Sequence, residues 1–315
     1  MSQKIIFQII ISAVLFAYVI FKVDLSLLYQ AILSIKPEYY VFSFIVMFLN
    51  TFVLAKKYLI VMNPSGIYQS FFRLVKINLI CRFYSMFLTS AIGQGVIRWH
   101  ISTKNQQGRL KFLAVMFFER STFLFALCSV VAVSVILAQP PTAREIARSI
   151  YVPLSIALLG LALYYFYLSY SPFFNWFNRI VTDIPHKKES TLVDKLIDFI
   201  SIFSIYHKKT KILISSLFLS FVWQLFFLLR VHLLVVSADV PLDFVDLSWI
   251  ASLVLLVQAL PISLNGIGLR ETAYAFLFGT QGLPSEKGVL IGILLFSQML
   301  LISAIGGILQ LLSKE

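Results

Sequence analysis

Residues 260–271 read LPISLNGIGLRE, and residues 89–98 read TSAIGQGVIR. If one residue is gapped, the serine, the two glycines and the arginine of the two stretches align. Each stretch interrupts a hydrophobic run with small residues and then presents an arginine. In a membrane protein, two interrupted hydrophobic segments at corresponding places in the two halves are the best sequence indication of a binding site. The aligned positions are Ser90 with Ser263, Gly93 with Gly266, Gly95 with Gly268, and Arg98 with Arg270.

The composition around these stretches is that of an integral membrane protein. Of the 315 residues, 59% are hydrophobic and 13% are charged, and the mean hydropathy is +0.89. A soluble domain of this length could not bury so much apolar surface. The longest polar connection, residues 171–211, is shorter than the roughly 50 residues that a soluble domain usually needs. We therefore expect one transmembrane domain over residues 1–315.

Several hydrophobic runs are long enough to cross a bilayer, which takes about 20 apolar residues. Two other regions, 68–98 and 247–285, are apolar but interrupted, and the first of them carries too many charges to face lipid. Within the 171–211 connection, residues 192–203 have one apolar and one polar helical face, which indicates an amphipathic helix on the membrane surface. The six predicted full spans are 5–23, 39–60, 112–137, 151–170, 212–236 and 289–312.

The distribution of Lys and Arg predicts the orientation, because these residues concentrate in cytoplasmic loops. The 171–211 connection has seven of them, whereas the 237–248 connection has three Asp and neither Lys nor Arg. With both termini cytoplasmic, region 68–98 would begin and end inside, and region 247–285 would begin and end outside. Both regions are then re-entrant hairpins that enter from opposite faces, as an inverted repeat with halves 1–138 and 150–315 would place them.

The fold class that follows is an all-α, polytopic membrane helix bundle with about six full spans plus two re-entrant hairpins. Non-helical backbone at membrane depth persists only where it is buried in protein or lines a wet cavity. We therefore expect the two interruptions to meet near the centre of the molecule.

Other classes of function find little support in the sequence. The net charge of +12 fits positive cytoplasmic loops and attraction to lipid headgroups, and we expect no nucleic-acid partner. Cys81 and Cys128 lie in apolar runs and form neither a disulfide framework nor a metal motif. There is no phosphate-binding lysine loop, so we expect no ATP hydrolysis. No cluster of His, Cys and Asp has the spacing of metal ligands, and we expect neither a metal site nor a cofactor.

The two interrupted stretches have the chemistry of an anion site. Paired glycines let the backbone turn and expose amides, a helix that begins there points its positive end at the turn, and arginine forks suit phosphate. The residues expected to bind a lipid phosphate are Arg98, Arg270, Glu119, Arg120 and Glu271, with the two glutamates orienting the arginines. The residues expected to shape the cavity are Ser90, Gly93, Gly95, Pro261, Ser263, Asn265, Gly266 and Gly268.

A plainer interpretation remains beside this one. The glycines can serve close helix packing, and the arginines can simply pair with Glu119 or Glu271. Glu271 could also accept a proton if transport is coupled to one. For Arg82 and Arg230, anchoring at the membrane interface is somewhat favoured over a place in the cavity.

Three motifs resemble those of the lysylphosphatidylglycerol synthase transmembrane-region family, also called the flippase-like domain. They are FYSMFLTSxxGxGxxR over residues 83–98, the pair Glu119-Arg120, and LPxSxxGxGxRE over residues 260–271. The resemblance implies a module that moves a modified lipid between leaflets, or one linked to enzymes acting on polyprenyl-linked sugars. Two positions depart from the family pattern: Gly95 stands where an Asp is common, and Asn265 where a second glycine is common.

The expected function is that of a lipid transporter or flippase in the inner membrane. Its cargo would be an anionic phospholipid or a polyprenyl-phosphate-linked lipid. The 315 residues contain no aminoacyltransferase or glycosyltransferase domain, so an enzyme is the less favoured class. Two alternatives stay open: a transferase that uses Glu119 or Glu271 as a base on a lipid-linked donor, and a non-transporting partner of a separate lipid-modifying enzyme. Homo-oligomerisation also stays open.

The predicted topology can be checked with a cysteine-accessibility map of residues 98–111. We expect membrane-impermeant thiol reagents to reach this connection from the cytoplasmic side only, because region 68–98 re-enters. Labelling from the outside would show that residues 68–88 cross the membrane completely.

Overall fold

The structure is a computed structural model that describes residues 25–86, 91–103, 109–138, 209–259 and 265–313, together with positions 159, 160, 165, 206 and 263. The predicted span 5–23, nearly all of the span 151–170 and the predicted amphipathic helix 192–203 lie outside the described residues.

The described chain is helical throughout, as its composition predicts. Apart from a 3-10 turn at Asn63–Ser65, its elements are α1 (Leu25–Leu33), α2 (Pro37–Met62), α3 (Phe71–Ser85), α4 (Ala91–Thr103), α5 (Arg109–Ala138), α6 (Thr210–Ser237), α7 (Phe244–Gln258), α8 (Leu269–Thr280) and α9 (Ser285–Leu311).

Four of these helices, α2, α5, α6 and α9, are long and apolar enough to cross a membrane. They coincide within a few residues with the predicted spans 39–60, 112–137, 212–236 and 289–312, so a polytopic membrane helix bundle is confirmed. The agreement arises because span length is set by bilayer thickness, which sequence hydropathy reports directly.

The two interrupted regions each form a pair of short helices. The helices α3, α4, α7 and α8 have between 12 and 15 residues, so each is at most roughly 22 Å long at the α-helical rise. The apolar core of a bilayer is about 30 Å thick. Neither member of a pair can therefore cross alone, and α3 packs on α4 as α7 packs on α8. Re-entry from opposite faces stays a prediction.

The long helices α2 and α6 pair along their whole length. The Ser43 hydroxyl donates to the carbonyl oxygen of Arg230 (2.9 Å), and the Asn50 amide to that of Trp223 (3.3 Å). At the helix ends the Ser237 hydroxyl donates to the carbonyl oxygen of Lys36 (3.1 Å). From one contact to the next, the residue number rises by seven on α2 and falls by seven on α6. The pair is therefore antiparallel, and it repeats its polar contacts at the heptad period of a left-handed helix pair.

The helix α9 supports a short helix from each interrupted region. Near its beginning, a Cβ at Gly288 would lie 2.6 Å from the carbonyl oxygen of Tyr274 on α8. Near its end, a Cβ at Gly306 would collide with the carbonyl oxygen of Leu79 on α3. Backbones approach this closely only where a small residue stands at the crossing.

The packing also crosses between the predicted halves. The helix α3 lies against α9, whereas α7 lies against α5. Each interrupted region thus uses its first helix to contact the last span of the other half. This exchange is what a two-fold relation between 1–138 and 150–315 requires, and that division stays a prediction.

Gly306→Leu should destabilise the protein, because the new side chain meets backbone of α3 rather than a flexible side chain. We expect a loss at or above the upper end of the about 1–3 kcal/mol that is typical of overpacking. Thermal unfolding in detergent, followed by size-exclusion chromatography, measures it. Ala304→Leu is the matched control, since Ala304 is an exposed residue of the same helix, and it should unfold like the wild type. Equal melting temperatures for the two variants would contradict the close contact.

Candidate anion-binding site

Glu119 lies at the centre of a buried polar cluster formed by three helices. Its carboxylate accepts hydrogen bonds from Lys57 Nζ (3.0 Å) and the Tyr58 hydroxyl (3.0 Å), both on α2. Lys57 Nζ also donates to the Glu119 carbonyl oxygen (3.0 Å). All of these side chains are 5% exposed or less. Because an unpaired buried charge is strongly unfavourable, these contacts fix where α2 and α5 meet.

Arg98 of α4 joins this cluster through the tyrosine. Its Nη1 donates to the Tyr58 hydroxyl (2.5 Å), and its guanidinium carbon lies 4.3 Å from the centre of the Tyr58 ring. Its Nε is buried without a hydrogen-bond partner among the described residues. The predicted association of Arg98 with Glu119 is therefore indirect. No sequence motif distinguished Lys57 and Tyr58, which are ordinary residues near the end of a predicted span.

Arg120 takes a peripheral position. Its Nε lies 3.8 Å from Glu119 Oε2, and its side chain is 41% exposed. An exposed pair at this distance contributes little to stability. Arg120 therefore borders the cluster, and Lys57 and Arg98 supply the buried positive charge.

The second cluster is formed within one turn of α8. Arg270 Nη2 and Nε both donate to Glu271 Oε1 (2.6 and 3.1 Å), and the Gly268 amide donates to Glu271 Oε2 (2.8 Å). Glu271 therefore caps the start of α8 in the manner of a capping box and neutralises Arg270 at the same time. The Arg270 guanidinium also lies 5.6 Å from the Phe296 ring centre of α9.

The interruption before α8 is a true turn. Asn265, Gly266 and Gly268 have φ values of +51°, +79° and +76°, a region that glycine enters without penalty and Asn more readily than most residues. Ser263 is buried beside them. Pro261 lies outside the described residues.

The first stretch differs from the second, and here the expectation was wrong. Gly93 and Gly95 were expected to form the turn, but both lie inside α4, which begins at Ala91. The helix α3 ends at Ser85, and residues 87–90 between the two helices lie outside the described part of the chain. A Cβ at Gly95 would collide with the flexible Met116 side chain of α5, so this glycine serves helix packing. Ser90 lies outside the described residues.

Asn265 connects the second turn to the neighbourhood of the first. Its Nδ2 lies 3.7 Å from Met86 Sδ and 3.6 Å from Met299 Sδ. Met86 is the last described residue before the first interruption, and Met299 belongs to α9. The second turn therefore adjoins the end of α3, in line with the expectation that the two interruptions meet.

Two further arginines, Arg82 of α3 and Arg230 of α6, lie between these clusters. The charge of Arg82 acts on Arg98 and on Arg230, and that of Arg270 acts on Arg230. Arg230 Nε donates to Gln298 Oε1 (2.8 Å) and its Nη2 to the Leu295 carbonyl oxygen (3.2 Å). These partners are neutral. Both arginine side chains are half-buried in the bundle, and anchoring at the interface stays a prediction.

The interior therefore holds more positive than negative charge. Lys57, Arg98 and Arg270 are the buried cations, and Glu119 and Glu271 are the buried carboxylates that face them. Arg82 and Arg230 add two half-buried cations. Among the described residues no group of His, Cys, Asp and Glu side chains could hold a metal ion. The arrangement suits an anion.

Glu119→Gln should destabilise the protein by about 3–5 kcal/mol, because it leaves Lys57 and Arg98 buried without a countercharge. Thermal or denaturant unfolding in detergent measures the loss. Adding Lys57→Met to Glu119→Gln should recover part of it, since one uncompensated cation is removed with its partner. If the double variant is as unstable as the sum of the two single variants, the Lys57–Glu119 contact is not an ion pair.

The comparisons with known proteins agree with the membrane architecture. Residues 5–307 match the family described as the lysylphosphatidylglycerol synthase TM region. No curated protein and no solved structure matches the chain. The match covers nearly the whole sequence, including both interrupted regions and the buried charges. The chain therefore belongs to the lysylphosphatidylglycerol synthase transmembrane-region family, a family of membrane proteins related to lipid handling.

Proposed function

We propose that this protein moves a lipid with a phosphate-containing headgroup between the leaflets of an inner membrane. The cargo is an anionic phospholipid or a polyprenyl-phosphate-linked lipid, and both chain termini are cytoplasmic. Family membership supports the link to lipid, and the excess of buried positive charge supports the anionic headgroup.

The excess charge is the observation that carries the proposal. A cation at membrane depth costs several kcal/mol unless it is paired or hydrated, and such residues persist in membrane proteins where they serve an ion or substrate. Arg82, Arg98, Arg230 and Arg270 come from four different helices. A lipid phosphate between those helices would supply the missing negative charge, and arginine binds phosphate through two parallel hydrogen bonds.

The interrupted regions offer the headgroup polar partners on its way between the leaflets. A polar headgroup cannot cross hydrocarbon without hydrogen-bond partners. At the turn before α8, backbone polar groups that a continuous helix would bond internally lie at the side of α9, next to the end of α3. In the proposed cycle the headgroup passes this turn while its acyl chains stay in the surrounding lipid.

The transferase alternative receives less support from the geometry. It needs a carboxylate that is available as a base. Glu119 is occupied by Lys57 and Tyr58, and Glu271 by Arg270 and the Gly268 amide. These contacts leave little access for a substrate proton.

Reconstitution into liposomes tests the proposal. A fluorescent phospholipid in both leaflets should become fully accessible to a membrane-impermeant quencher when the protein is present, whereas a lipid with an uncharged sugar headgroup should stay half protected. Protein-free liposomes are the baseline. Equal transfer of both lipids would exclude recognition of the phosphate, and transfer of neither would exclude translocation by this chain alone.

The role of Arg270 can be tested without loss of the fold. Arg270→Gln combined with Glu271→Gln keeps the charge balance, and glutamine at this position still completes a capping box. We expect translocation to slow by about tenfold or more, because the headgroup no longer meets a guanidinium at the turn that it passes. Arg120→Gln, at the exposed edge of the first cluster, should transfer lipid at the wild-type rate. Normal translocation by the double variant would remove Arg270 from the mechanism.

A further inference from the structure

Arg82 has a different environment from the arginines of the two repeated stretches. Arg270 is neutralised by its neighbour Glu271, and Arg98 is held by Tyr58 next to Glu119. The Arg82 guanidinium has neither a hydrogen bond nor an ion pair within the part of the chain that the structure describes. Its main-chain carbonyl oxygen is fixed, since it accepts a hydrogen bond from the Ser303 hydroxyl of α9 (3.2 Å). The fold therefore fixes the main chain of Arg82, and the described residues give its half-buried guanidinium no countercharge.

Asn78 provides a second and independent observation. It is 2% exposed, and neither its side-chain oxygen nor its side-chain nitrogen has a hydrogen-bond partner among the described residues. Asn78 lies four residues before Arg82, on the same face of α3, and a helical side chain leans over the preceding turn. A buried amide with both ends unsatisfied costs about 1–3 kcal/mol for each group, so it indicates a missing polar ligand.

Arg230 faces the same region from α6. Its contacts with Leu295 and Gln298 and the Ser303 contact of Arg82 lie along one side of α9. Arg230 meets Leu295 through its side chain, whereas Arg82 meets Ser303 through its main chain, and these two residues of α9 are roughly 12 Å apart along the helix. The two positive charges repel each other, and no carboxylate of the described residues pairs with either of them.

We propose that Arg82 and Arg230 form the phosphate-binding site, with Asn78 as a neutral ligand. The phosphate belongs to a lipid headgroup, an assignment that rests on the proposed function. The clusters around Arg98 and Arg270 then position the helices α4 and α8 on either side of this site. A single phosphate between the two guanidiniums removes their repulsion and satisfies the amide of Asn78.

The first test measures stability without any ligand. Arg82→Met should unfold at the wild-type temperature or above it, because no contact of the guanidinium is lost and a repulsion is relieved. Arg270→Met should unfold well below, because it leaves Glu271 buried without its partner. A loss of stability in Arg82→Met as large as that in Arg270→Met would overturn the proposal, since it would show a structural role.

The second test measures binding in detergent through the rise in melting temperature that a ligand causes. The probes are a short-chain phosphatidylglycerol, sodium phosphate, and a short-chain diacylglycerol that lacks the phosphate. Arg82→Met and Arg230→Met should need about tenfold or more phosphatidylglycerol for the wild-type shift. Arg73→Met, which removes an exposed charge from the same helix, should respond like the wild type.

The probes distinguish the source of the phosphate. A larger shift with phosphatidylglycerol than with sodium phosphate supports a lipid headgroup, and equal shifts support the site but assign it to the free anion. Equal shifts with diacylglycerol, or unchanged binding in Arg82→Met, would overturn the site. Binding without translocation by the wild type would reject the proposed function and leave the site intact. Translocation by the wild type together with unchanged binding in Arg82→Met would reject the site and leave the proposed function intact.

Discussion

The free energy of burying charge governs the interior of this protein. A guanidinium or ammonium group away from water is tolerated when a carboxylate or several oxygen atoms replace its hydration. Lys57 meets this requirement through Glu119, and Arg270 through Glu271, so each of these charges also fixes a contact between backbone segments. The first pair joins α2 to α5, and the second closes the start of α8. Arg82 and Arg230 carry the same charge without such a carboxylate among the described residues, and the proposed phosphate site rests on this contrast.

The helix α9 brings these elements together. It accepts α8 at Gly288 and α3 at Gly306, which lie five turns apart at 3.6 residues per turn, and its intervening side faces Arg230, Arg270 and Asn265. Small residues at the crossings and polar groups between them are the two means by which helices associate where water is absent. A single span therefore determines the position of both interrupted regions and of the charges that they carry.

Sequence reasoning recovered the parts of the fold that depend on local properties. The ends of four spans followed from hydropathy, because bilayer thickness limits their length. The turn at Gly266 and Gly268 followed from glycine spacing. The same reasoning failed for Gly93 and Gly95, since identical residue spacing is compatible with a helix when a neighbour such as Met116 needs the space. Lys57 and Tyr58 could not be recognised, because their contacts depend on which helices become neighbours. That is decided by packing between segments far apart in sequence.

The pairing of α2 with α6 has a mechanical consequence. Its polar contacts recur at every seventh residue, so a slide of either helix by one turn would break all of them at once and leave buried donors without acceptors. The helices α2 and α6 therefore form one rigid unit. The turn at Asn265 is held to α3 and α9 by thioether sulfur atoms, which are weak acceptors and release a donor at small cost. The contacts at Asn265 can therefore be exchanged at smaller cost than those between α2 and α6.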